Sequence, residues 1–445
     1  AWIQCQTDHG RNKRSMRVAF DAAILGRAQL LPLARSGIFR YADCLLQALA
    51  ASRQCQLSLT SFGYSLDAAG LADYIETHEF LRQVPVVLNP SIRFMGNNLR
   101  RMLRTSGNGA SGKASRSGFL RWAHQLGDGL LANLQQTRPS ALAHRLSGAQ
   151  IFHTPFLHIP PAAHTVPGLR CCITVHDLNP LVYPQHFPLV VRRWSAKVME
   201  SITPDDWVLT VSGYVKNDLC ARYPVNPERV RVTPLAADAS HFHPSHDLAQ
   251  IMAVRRRYGI PDGPYILSLG SLAPHKNISH LVKCFARVLE QEGLRDLNLV
   301  LAGVEGWMLD GLSRDMANLN AASKRIIQTG FVDDADQPAL YAGATVFVFP
   351  SLFEGFGLPP LEAMQCGTPV ICANTTSLPE VVGSAGILVD PLDEDALCQA
   401  LLDVCRNENL RQSLRARGME QAGRFSWVRC AEDTLAVYRD ALAAA

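Results

Sequence analysis

The chain predicts an α/β protein of two doubly wound, Rossmann-like domains facing each other across a cleft. Three observations carry that prediction. Short apolar runs of strand length alternate with helical runs throughout, the pattern of sheets covered by helices on both faces. The 445 residues are enough for two ordinary cores. Glycines and isolated charged residues recur where strand runs end, the edge at which open parallel sheets bind ligands.

Composition narrows the function classes. With 47% hydrophobic and 18% charged residues the sequence is that of a globular protein. The net charge of +4 is mild, so any basic character that matters is local, and no nucleic-acid partner is expected. The twelve cysteines show no CxxC spacing, and the adjacent pair Cys171-Cys172 lies in an apolar strand run. Reduced, mostly buried thiols in a cytoplasmic protein are therefore expected, with no disulfide framework and no metal site. No apolar run reaches the length of a membrane span. Residues 1–15 are polar and basic without an apolar stretch, so they read as an extension and not a signal peptide, and Met16 could be the true start.

Residues 16–21 read as the first strand, followed by Arg35-Ser36-Gly37-Ile38-Phe39-Arg40-Tyr41 and a helix through Leu49. That places Gly37 in a loop leading from the first strand into a helix, either a ligand loop or a simple turn. Strand runs follow at 57–62 and 86–88. Between Arg93 and Arg121 there are seven basic residues and no acidic one, interleaved with Phe94, Met95, Leu99, Phe119 and Trp122 around a Gly/Ser-rich middle. This is either a solvated basic face or a segment resting on an anionic membrane surface. Further strands are expected at 150–153 and 171–175, the second ending in His176-Asp177, a pair placed where a reacting ligand would sit. Strands at 207–211 and 230–234 lead to a polar stretch whose His241, His243 and His246 lack ligand spacing and read as linker surface.

A second series starts at 265–269 and runs into Gly270-Ser271-Leu272-Ala273-Pro274-His275-Lys276-Asn277 before a helix to Leu289. A lysine just ahead of a helix suits a phosphate, although the P-loop pattern is absent. Strands at 297–302, 326–329, 344–349, 370–373 and 386–389 complete the sheet, with Gly330-Phe331-Val332 after the second of these five. The run at 344–349 leads into Pro350-Ser351-Leu352-Phe353-Glu354-Gly355-Phe356-Gly357-Leu358-Pro359-Pro360-Leu361-Glu362. A strand, a glycine-bearing loop and a helix start present backbone N–H groups and the positive end of a helix dipole, a setting for a diphosphate. Gly355 and Gly357 allow close approach of the backbone. Glu354 and Glu362, eight positions apart, are placed at the loop mouth and one turn inside the helix.

Residues 16–442 resemble the retaining glycosyltransferases of the GT-B fold, family four, and within them bacterial mannosyltransferases of polysaccharide assembly. The motifs GSLAPHKN, TGFVDD, LYAGATVFVFPSLFEGFGLPPLEAM and CGTPVICANTTSLPEVVGSAG carry the likeness, in order. It implies that Glu354 contacts the donor sugar and Glu362 the ribose hydroxyls. The backbone of Gly355, Phe356, Gly357 and Leu358 would hold sugar and phosphate oxygens, Lys276 would neutralise the leaving diphosphate, and Val332 would pack on the base. Gly37 would lie near the diphosphate and His176-Asp177 near the transferred sugar. Many members carry an arginine where this chain has Ser271 and a second basic residue where it has His275, so the phosphate clamp departs from the pattern.

The resemblance further implies five segments. These are an extension at 1–15, an acceptor-binding domain at 16–240, a linker at 241–257, a nucleotide-sugar domain at 258–423, and a helix at 424–445 crossing back to the first domain. The implied function is transfer of a hexose, GDP-mannose being the favoured donor, to a lipid-linked or lipopolysaccharide glycan on the inner face of the cell membrane. No cofactor and no metal are expected. A UDP-hexose or GDP-deoxyhexose transferase, or a non-catalytic nucleotide-sugar-binding relative, stay open as alternatives.

Overall fold

The computed structural model describes residues 15–30, 37–61, 65–88, 139–245, 247–304 and 324–444. The basic segment 93–121, His246, Arg35, Ser36 and residues 1–14 lie outside the described residues.

The described residues build two all-parallel sheets. The first holds β1 (Met16–Asp21), β2 (Cys55–Ser61), β3 (Val86–Leu88), β4 (Ile151–Thr154), β5 (Arg170–Val175), β6 (Trp207–Thr210) and β7 (Val230–Val232), in the spatial order β3-β2-β1-β4-β5-β6-β7. The second holds β8 (Tyr265–Leu269), β9 (Asn298–Ala302), β10 (Ile326–Gly330), β11 (Val346–Phe349), β12 (Val370–Ala373) and β13 (Ile387–Val389), ordered β10-β9-β8-β11-β12-β13. Both are doubly wound. Central strands such as β9 and β11 are buried on every residue, which is why they read as unbroken apolar runs and not as alternating ones.

The covering helices are amphipathic. In Ile278–Leu289 the buried Ile278, Leu281, Val282, Phe285 and Val288 fall on one stripe and pack on the second sheet. In each sheet the strand order reverses beside one central strand, between β1 and β4 and again between β8 and β11. The crevices at the carboxyl ends of those strands are where a ligand fits an open α/β sheet.

The last helix, Trp427–Ala443, packs on the first-domain helix Gly37–Ser52 and against β5 and β6. Ser426 caps it by accepting from the Arg429 N–H at 3.1 Å. A buried polar chain fixes its register. The Tyr438 hydroxyl meets His153 Nδ1 at 2.6 Å, His153 Nε2 meets Thr174 Oγ1 at 2.8 Å, and Thr174 meets the Tyr41 hydroxyl at 2.6 Å.

One expectation is corrected at the first strand. A helix, Ala23–Leu30, intervenes after β1, so Gly37 opens the second helix of the chain and does not close the β1 turn. The physical reason is close packing of that inserted helix on Ser65–Thr77: a Cβ on Gly26 would stand 1.9 Å from the Asp67 carbonyl oxygen. Arg27 then pairs with the buried Asp67 at 3.0 Å.

Among the described residues no helix is long and apolar enough to cross a membrane.

Candidate active site

The cleft is built from strand ends. From β11 the chain enters the loop Pro350–Gly357 and then the helix Leu358–Gln365, whose N-cap is Gly357 at φ 121°, a conformation that a side chain would strain. Pro359 and Pro360 occupy its first turn, where a missing N–H costs nothing. The loop is held by hydroxyls from the segment after β12. Ser377 Oγ lies 3.0 Å from the Glu354 carbonyl and 2.8 Å from that of Phe356, its one proton shared between them, and the Glu354 N–H donates to Thr376 Oγ1 at 3.0 Å. Phe356 packs edge-on against Phe425 with centroids 5.8 Å apart.

With its carbonyls engaged this way, the loop turns its N–H groups elsewhere. Among the described residues no protein acceptor takes the amides of Gly355, Phe356, Gly357 or Leu358. Most of this stretch is buried, and amides left without a protein acceptor at a helix start can receive an anionic ligand.

Lys276 comes from the short 3-10 turn Pro274–Lys276 after β8 and donates to Glu354 Oε1 at 2.5 Å, with Nζ 4.9 Å from the Phe349 ring centre. Both side chains keep about 15% of their surface exposed, so the pair borders the cleft and is not sealed in the core. Ser271 and Gly270 line the same recess as Lys276. His275 adds no second cation. Its ring packs with those of Phe187 and Phe353 in a three-ring cluster, and burial with Lys276 beside it pushes its imidazole down to about 4, so it is neutral near pH 7.

The first domain meets this loop directly. A Cβ on Gly355 would lie 1.9 Å from the His176 carbonyl oxygen, so only glycine permits the contact. Ser212 Oγ donates to the Gly355 carbonyl at 2.7 Å. The N–H groups of Gly213 and Tyr214, at a helix N-terminus, donate to Glu380 at 2.8 and 2.6 Å. Tyr183 stacks on Phe353 with centroids 4.1 Å apart.

His176 is 7% exposed and its Nε2 has no partner among the described residues. Burial holds its imidazole down to about 3, hence neutral. Asp177 accepts from the Asn179 N–H at 2.9 Å, and burial raises its carboxyl to about 6.

Glu362 lies one turn into the helix at 1% exposure. Its Oε2 accepts from the Tyr341 hydroxyl at 3.0 Å and its Oε1 from Arg40 of the first domain. Arg40 also donates to Asp334 at 3.0 Å and Gln337 at 2.8 Å. Val332 is buried, two residues ahead of Asp334 in the chain. Gly37 lies across from the helix start, a Cβ there falling 3.9 Å from Leu358 Cδ1.

Of the sequence-predicted residues, the structure brings Lys276, Glu354 and the loop at Gly355 up to His176 and Asp177, with Glu362 one turn further into the helix. Arg40, Tyr341, Ser377 and Glu380 were missed, because ordinary polar residues on helices carry no local signal. The histidine cluster is corrected in part: His241 is not linker surface but bonds the Asp334 carbonyl at 2.8 Å. The metal-ligand types that do assemble are His164, Cys171 and Asp206, their ligand atoms within 4.8 Å of one another. They sit at the amino ends of β5 and β6, opposite the cleft, and His164 already bonds Asp206 at 2.9 Å.

Comparison with known proteins places the chain in a family. The family model for glycosyl transferases group 1 matches residues 251–421, and that for glycosyltransferase family 4 matches residues 35–241. The chain is 35% identical over 290 residues to the O-antigen chain mannosyltransferase B of Escherichia coli, covering 65% of this chain and 74% of that one. It is 30% identical over 272 residues to the serotype-specific mannosyltransferase WbdA of the same organism, covering 60% of this chain but only 33% of WbdA. The crystal structure of Anabaena HepE in complex with UDP superposes with a TM-score of 0.64 at 16% identity, covering 96% of this chain and all of that one, a likeness of fold. With its two parallel sheets and the matches to both halves, this chain belongs to the GT-B glycosyltransferases of family 4, group 1.

Proposed function

We propose that the protein transfers a hexose, with mannose from GDP-mannose favoured, to a growing lipid-linked or lipopolysaccharide glycan with retention of configuration. The observation that carries this reading is the row of unpartnered amides at 355–358 beside Lys276, a preformed seat for a diphosphate. The mannosyltransferase names of both relatives support the sugar, and the O-antigen chain in the name of the first supports the acceptor class.

In this reading the diphosphate lies against the 355–358 amides, Lys276 balances its charge, Glu354 takes hydroxyls of the sugar, and Glu362 takes the ribose. The bond from the sugar's C1 to the leaving phosphate oxygen breaks, and a new bond forms from C1 to the acceptor oxygen on the same face. The acceptor's proton passes to the departing phosphate. His176, neutral and with Nε2 unpartnered, orients a hydroxyl of the transferred sugar. The charge on the leaving group is met by Lys276 and the helix start, so the transfer is proposed to be metal-independent.

The test is transfer from GDP-mannose to a lipid-linked oligosaccharide with and without chelator, the product's anomeric configuration being read by NMR. An α-linked mannose formed equally well in chelator is expected. An inverted product or loss of transfer on chelation contradicts the mechanism, and preference for a UDP-sugar contradicts the donor.

A further inference from the structure

Arg40 stands on the first-domain helix Gly37–Ser52, yet its guanidinium donates to Glu362, Asp334 and Gln337, all in the second domain. Its plane also lies 5.7 Å from the ring centre of Phe242, in the segment that joins the two domains. Its side chain is 24% exposed, and that of Glu362 is 2% exposed. A carboxylate at that depth has almost no water, and a single neutral hydroxyl from Tyr341 does not replace it. The cation across the domain boundary does.

The bonding leaves room for a ligand. Each carboxylate oxygen can accept two hydrogen bonds, and Glu362 has one protein donor on each, Arg40 on Oε1 and Tyr341 on Oε2. By that count each oxygen keeps one acceptor site, so a vicinal diol that reached Glu362 would not have to displace either partner. Asp334 and Gln337, the other two holds on Arg40, follow Val332 closely in the chain. Arg40 thus straddles the turn assigned to the base and the carboxylate assigned to the ribose.

We infer that Arg40 is a positioning residue for the donor: it fixes Glu362 for the ribose diol from the opposite domain, so that nucleotide affinity depends on the two domains meeting. This rests on the donor-site reading of Glu362 given above. The residue does not touch the reacting atoms, and its effect is on donor binding and not on the bond-making step.

The experiment titrates wild type and Arg40→Met with GDP, or with UDP where that binds more tightly, and with the matching 2′,3′-dideoxy nucleoside diphosphate. Wild type is expected to favour the ribonucleotide by about tenfold or more, tenfold being the low end for one hydrogen bond to a charged group. In Arg40→Met that ratio falls towards one, the dideoxy affinity stays unchanged, and donor KM rises about tenfold while kcat stays within about threefold. Should Arg40→Met fail to fold, Asp334→Ala, which loosens Arg40 without touching Glu362, lowers the ratio in the same direction. An unchanged ratio in the variant that folds overturns the inference. So does tighter ribonucleotide binding, which would make Arg40 a competitor for Glu362. A wild type indifferent to the ribose hydroxyls overturns the assignment of Glu362 itself, and Arg40 with it.

Discussion

Burial fixes the protonation of the first-domain residues facing the cleft, and each consequence has a sign. His176 and His153 are held at about 3 by burial, against an ordinary value near 6.5. Between those limits the unfolded chain binds protons that the folded one refuses, so the stability tied to each neutral histidine is lost as pH falls from 6.5 towards 3. Asp177 runs the other way. Its carboxyl is raised by burial from 3.8 to about 6, so the folded state keeps a proton that the unfolded chain releases, and stability falls as pH climbs through that window. We predict that, relative to wild type, His176→Gln gains stability on acidification below pH 6.5, while Asp177→Asn gains it from pH 4 to 6. Each gain is on the order of a few kcal/mol, and urea unfolding at several pH values reads them. Lys276→Met should cost about 100-fold or more in kcat, since the neighbouring His275 is neutral and does not share a leaving charge; steady-state kinetics on the donor check this.

The loop from Phe349 to Leu358 shows how local sequence and long-range contact divide the work. Its strand, glycines and proline-bearing helix start were legible because each rests on a local rule: an apolar run, positive φ, a proline where no donor is needed. Most strands were legible likewise, to within two residues, because parallel strands buried on both faces stay apolar throughout. What could not be read is what the loop touches. That Gly355 is pressed on the His176 carbonyl, or that Ser377 bonds two of the loop's carbonyls, depends on chain segments brought together only by the fold. The inserted helix Ala23–Leu30 was hidden for a related reason: its glycine matters through a contact with a helix some 40 residues away. Two predictions belong to this scale. Gly355→Ala must push the two domains apart, because backbone atoms cannot yield, and turnover should fall by about 100-fold, as misplacements near 1 Å can do. Tyr438→Phe removes the hydroxyl that meets His153 and should cost about 1 to 2 kcal/mol, seen as a melting point lower by several degrees with nucleotide affinity unchanged.

At the scale of the whole molecule, the polar contacts between the two domains include Ser212 to Gly355, the helix N-terminus at Gly213 to Glu380, and Arg40 to Glu362, beside the stacking of Tyr183 on Phe353. Two of these polar contacts pair a first-domain group with the loop or helix that carries Glu354 or Glu362, so on the proposed reading of those carboxylates donor binding and domain contact are coupled. Glu380→Ala removes the acceptor of two amides and should raise donor KM severalfold without changing the product, as kinetics on a fixed acceptor would show. The account stands or falls on Glu354 and the amides beside it forming the donor site. Its most direct test is the release of free nucleotide from a panel of nucleotide-sugars by wild type and by Glu354→Ala, with melting curves for both. The account predicts turnover of GDP-mannose by wild type and a drop of about 100-fold or more in the variant at nearly the same melting temperature. Turnover in Glu354→Ala close to that of wild type would contradict it.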